Sequence, residues 1–91
     1  MTQPANVIVT YFDRTSGEPL HLTVIVGEDH YVVTLPGALD GRGGRTARTH
    51  VWKRFAKRYG YGHRTVRKTT SEGARVAKLA TDYVADWRAA H

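Results

Sequence analysis

A chain of 91 residues and 10.2 kDa, 41% apolar and 24% charged, has the composition of one folded domain with a modest core. It contains no cysteine, which excludes thiol catalysis, disulfides and thiolate metal sites. No apolar run approaches the roughly 20 residues of a membrane-spanning helix, and Met1–Asn6 lacks the basic start of a signal peptide, so the cytoplasm is the expected compartment and no membrane partner is expected.

The first third of the chain predicts strands. Val7–Phe12 is a β-branched and aromatic run that ends at the turn formers Asp13–Pro19. Leu20, Leu22, Val24 and Val26 alternate with His21, Thr23 and Ile25, the period of two that buries one face. Gly27-Glu28-Asp29 closes a tight hairpin into His30–Leu35, and Pro36-Gly37 ends that strand. Residues 1–35 are thus expected to form a three-stranded antiparallel meander, whose apolar face needs a helical cover. A third strand left at the sheet edge offers a contact to its twin in a homodimer.

Residues 36–45, rich in Gly and Arg, predict a flexible connector, with Arg42 and Arg45 available to a phosphate backbone. Residues 46–91 predict a basic helical half. From Thr46, Val51, Trp52, Phe55, Ala56 and Tyr59 fall at helical spacing, and Gly60 stands at a helix C-terminus. Val76, Leu79, Ala80, Tyr83, Val84 and Trp87 form the apolar stripe of a last helix, capped at Thr69 with Glu72 three residues on, or at Ser71. The expected fold is therefore a single α+β domain, an N-terminal three-stranded antiparallel sheet packed by two or three C-terminal helices.

Charge is segregated along this order. Residues 1–41 carry Arg14 against five acids, a net −4, and residues 79–91 a net −1. Residues 42–78 carry twelve Lys and Arg against Glu72 alone, a net +11. Such asymmetry points to a polyanion partner.

Within that segment, Trp52–Ser71 has the ingredients of a helix-turn-helix: Ala56 at the helix crossing, Gly60 in the turn, and Phe55, Tyr59, Tyr61 and Val66 as apolar pins. The string Tyr61-Gly62-His63-Arg64-Thr65-Val66-Arg67 resembles the corresponding stretch of bacterial helix-turn-helix repressors of the GntR type. The resemblance covers about 20 residues, and it implies that Gly62, His63, Arg64, Arg67 and Lys68 open and line a recognition helix. Independently, Arg64, Arg67 and Lys68 would share one helical face, where arginine grips guanine and lysine neutralises phosphate. The expected DNA-binding set is Arg42, Arg45, Arg48, Lys53, His63, Arg64, Arg67 and Lys68.

Enzymatic chemistry finds little support. His21, His30, His50, His63 and His91 are scattered, and no glycine-rich phosphate loop occurs. No catalytic residue, metal or cofactor is expected. The function expected is non-enzymatic binding of double-stranded DNA, regulatory or architectural, in a nucleoid-associated protein with a second copy of itself as a further expected partner. Two alternatives stand beside it. One is an accessory protein of phage or plasmid origin that docks on a host protein through the sheet. The other is a small ribonuclease using His50, His63 and Tyr61.

Overall fold

The computed structural model describes residues 5–39 and 41–91. Met1–Pro4, part of the stretch compared above with a signal peptide, and Asp40 of the connector lie outside the described residues. Five strands, β1 (Ala5–Phe12), β2 (Pro19–Val26), β3 (Asp29–Thr34), β4 (His50–Ala56) and β5 (Tyr61–Thr65), precede one helix, α1 (Ser71–Ala90). The strands pair antiparallel in chain order, so the sheet is a meander β1-β2-β3-β4-β5. The class is α+β, but with five strands and one helix in place of three strands and two or three helices.

The first three strands lie where the alternation puts them. Leu20, Leu22, Val24 and Val26 all point to one face and are buried. The two-residue turn Gly27-Glu28 carries β2 into β3, so Val24 stands opposite Tyr31 and Leu22 opposite Val33. α1 supplies the cover: Val76, Ala80 and Val84, spaced by four, are buried against this face, while Leu79 and Tyr83 flank it half-exposed. Together with Val51 they form one core.

The correction concerns residues 46–68, which contain no helix. The spacing of Val51, Trp52, Phe55 and Ala56 fits a helical stripe, but it also fits a strand that buries Val51 on one face and half-buries Trp52 on the other. Tertiary context decides. The outer edge of β3 needs a partner for its backbone groups, and β4 provides it by pairing Val33 with Val51 and Val32 with Trp52. Gly60, read as a helix end, sits at φ +90° in the turn between β4 and β5. Lys57 N donates to Gly60 O at 2.9 Å across that turn. β3 is consequently central, paired on both sides, and offers no edge to a twin.

The two ends of the segment 36–45 are paired with each other. Gly37 N donates to Thr46 O and Thr46 N to Ala38 O, each at 2.8 Å, and Leu39 bridges Arg45. Ala38 is fully buried beneath this small ladder.

α1 is capped by Thr70, between the two residues expected. Its Oγ1 accepts from Gly73 N at 3.1 Å and donates to Arg67 O at 2.7 Å, closing the turn and the helix start together. One buried group is unsatisfied: Thr34 Oγ1 has no hydrogen-bond partner among the described residues. Replacing it with an isostere that needs no partner should help. Thr34→Val is expected to stabilise the fold by about 1 kcal/mol, read as a raised urea midpoint with an unchanged slope.

Candidate nucleic-acid interface

A five-stranded sheet with a single helix has one face covered and one open. β2, β3 and β4 turn Leu22, Tyr31, Val33 and Val51 toward α1, so the alternate residues face away from it. Trp52 stands opposite Val32 and Thr65, and Arg54 opposite His63. Ala56 stands opposite Tyr61, and His21 opposite Thr34. This open face carries His21, His30, His50, His63, Arg54 and three aromatic rings.

Its rings and cation are ordered by one another. Arg54 lies over the Tyr61 ring at 4.2 Å from the centroid, and His50 stacks on Trp52 at 5.6 Å. Tyr11 meets His21 edge to face at 5.3 Å. A shallow groove of about 270 Å³ runs among Thr23, His30, Val32, Arg54, Tyr61 and His63. The described acids lie elsewhere. Asp13, Glu18 and Glu28 lie in or beside the turns, Asp29 is paired with Lys53 on the helix side, and Glu72, Asp82 and Asp86 lie on α1.

Beyond the reach of α1 the β4–β5 hairpin continues as a two-stranded ribbon. Phe55, Tyr59 and Tyr61 are 41%, 86% and 63% exposed there. Lys57 and Arg58 lie over the rings of Phe55 and Tyr59. Gly62 is buried only because the Phe55 ring and the Lys57 stem cover it across the strands. From Arg48 to Lys68 the chain carries eight Lys and Arg and no acid.

The residues expected to bind DNA are distributed unevenly over this architecture. Arg42 and Arg48 are exposed in the segment before β4. Arg45 ties that segment down, donating to Gly37 O at 2.7 Å and pairing with Asp13 at 3.5 Å. Two bonds from Ser16, and then Arg45, hold the Asp13 carboxyl below the usual range. His63 lies on the open face and Arg64 on the opposite face of β5, across from Lys53. Arg67 and Lys68 are exposed in the turn before α1. Arg64, Arg67 and Lys68 therefore share no helical face.

Lys53 is taken up by the fold. Its Nζ is 2.8 Å from Glu72 Oε2 and 3.8 Å from Asp29, and Tyr31 donates to the same Glu72 oxygen at 2.5 Å. These bonds join β3 and β4 to the first turn of α1. The bond from Lys53, then that from Tyr31, hold the Glu72 carboxyl below its ordinary range. Burial, then the Glu72 bond, push the Tyr31 hydroxyl well above the ordinary phenol range, so it remains a donor. A carboxyl lowered in the folded state contributes stability above its unfolded pKa of about 4.3, and that contribution is lost as pH falls through the folded value. Glu72→Gln, screened because the side chain is partly exposed, is expected to cost about 1 kcal/mol at pH 7. The deficit should begin to shrink in urea melts below about pH 4.3 and close once the pH passes below the folded value. A deficit unchanged across this range would assign it to packing.

The expected DNA-binding set left out Arg54, Trp52, Tyr61, Lys57 and Arg58. The signal was present as the alternation Trp52, Arg54, Ala56 and Tyr61, His63, Thr65 on either side of Gly60. His50 and His63 do not form a dyad: His63 pairs with Arg54, four positions along β4 from His50, about 13 Å at strand spacing. Among the described residues no group of three His, Asp or Glu is placed to hold a metal ion, and no helix is long and apolar enough to cross a membrane. No family model, curated protein or solved structure matches this chain.

Proposed function

We propose that this protein binds duplex DNA without catalysis, laying the β4–β5 ribbon into the major groove. That groove is about 12 Å wide and admits a two-stranded ribbon as readily as a helix. The observation that carries the proposal is the acid-free run from Arg48 to Lys68, folded as a ribbon whose distal half is uncovered on both faces. Arg54, held over the Tyr61 ring and opposite His63 across the strands, is the group suited to base edges, because a guanidinium presents its paired donors in a fixed plane. Lys57, Arg58, Arg64, Arg67 and Lys68, with Arg42 and Arg48, face the phosphates. Lys53 and Arg45 serve the fold. A regulatory or architectural role at the nucleoid follows from such binding.

The proposal is tested by fluorescence anisotropy with a labelled duplex across a salt series. Each phosphate neutralised releases counterions, so the logarithm of affinity should fall linearly with the logarithm of salt, with a slope equivalent to about 4–8 contacts. Absence of binding at low salt would remove the proposal and bring forward docking on a protein.

A further inference from the structure

The sheet has two outer edges, and they differ in chemistry. β5 is the shorter, five residues, and bears His63, Arg64 and Gly62. β1 is eight residues, Ala5–Phe12, with no charged side chain and no proline. On β1, Ile8 is 45% exposed and Phe12 47%. Among the described residues, nothing pairs with the outer side of β1. An uncharged edge, regular from Ala5 to Val9, presents a row of backbone donors and acceptors ready for another strand.

We infer that β1 is a self-association edge, joining two copies of this chain about a two-fold axis into one continuous ten-stranded sheet. A second copy is favoured over a foreign strand because β1 is complementary to itself. With Ile8 on the axis, Ile8 meets the partner's Ile8 and Val7 meets the partner's Val9, so that apolar residues face apolar ones. The irregularity between Val9 and Tyr11 ends the regular run at Val9. Charge selects this edge as well. The chain carries a net +6, and pairing through β1 leaves the two basic β4–β5 hairpins at opposite ends of the joined sheet. Pairing through β5 would bring Arg64 and the hairpin cations of both copies together.

The interface is small by the standard of stable dimers, so association should be concentration-dependent rather than obligate. The test is sedimentation equilibrium of the full chain without DNA, over about 10 μM to 1 mM. The weight-average mass should climb from 10.2 kDa toward twice that value. Ile8→Lys, at an exposed position, should weaken association by about tenfold or more and leave the melting temperature unchanged. Thr65→Lys on the opposite edge should associate as the wild type does. A wild type that stays at the monomer mass throughout overturns the inference, as does undiminished association of Ile8→Lys or its loss in Thr65→Lys.

Discussion

Gly73→Ala should cost about 3–5 kcal/mol of folding stability, against the roughly 1 kcal/mol gain that helix propensity alone assigns to this exchange. Gly73 lies in the first turn of α1, where the chain between β5 and the helix folds back over it. A Cβ there would sit 2.0 Å from Arg67 O and 2.7 Å from Arg67 C. Both are backbone atoms, so no rotamer change relieves the clash. To make room, the turn Arg67–Thr70 must move, and it carries the Thr70 cap and adjoins the bond from Val66 N to Val51 O. A domain of this size holds on the order of 5–15 kcal/mol in all, so the loss is a large share. Thermal and urea melts followed by circular dichroism read it directly. Ala74→Gly, next in the chain and exposed, is the control and should cost only about 1 kcal/mol. A Gly73→Ala protein as stable as wild type would show that the turn packs differently.

The second large effect concerns DNA. Arg54→Ala should weaken binding to a preferred duplex by about 1–3 kcal/mol and flatten the preference between sequences, because it removes a base reader. Arg54→Lys should restore the charge but not the preference, since an ammonium cannot make the paired contact that a guanidinium makes with one base. Lys57→Ala with Arg58→Ala should act differently, weakening all duplexes alike and lowering the salt slope by about 2. Sequences selected from a random duplex pool, compared across these variants, separate the two behaviours. A uniform, sequence-blind loss in Arg54→Ala would make it one more phosphate contact. Lys53→Ala belongs to neither group. Its Nζ is shared by Glu72 and Asp29, so its main effect should be on folding.

The parts of this molecule that were legible from residue order are those where one periodicity dominates. The strict alternation of Leu20–Val26 and the four-residue spacing of Val76, Ala80 and Val84 each admit a single element, and the structure builds those elements. Residues 50–56 admit two. Val51, Trp52, Phe55 and Ala56 satisfy a helical wheel, and the same residues fill both faces of a strand flanked by β3 and β5. What settles the matter is the empty edge of β3, a non-local demand that no window of seven residues displays. The error then propagated to the site. Once Gly60 is a hairpin turn rather than a helix end, Arg64 parts company with Arg67 and Lys68, and Lys53 turns inward to Glu72. Arg54, outside the expected DNA-binding set, becomes the ordered cation of the open face. The concentration of charge between residues 42 and 78 needed no structure to be seen, because it is a property of the sequence alone.

The central claim, that duplex DNA meets the sheet ribbon and not the helix, is tested most directly by amide chemical-shift mapping of the full chain titrated with a duplex. The account predicts that the amides of His50–Thr65 shift first and furthest, followed by Arg67 and Lys68, while Arg75–Ala90 of α1 stay in place. Shifts concentrated on the exposed face of α1, with the β4–β5 ribbon unmoved, would contradict it.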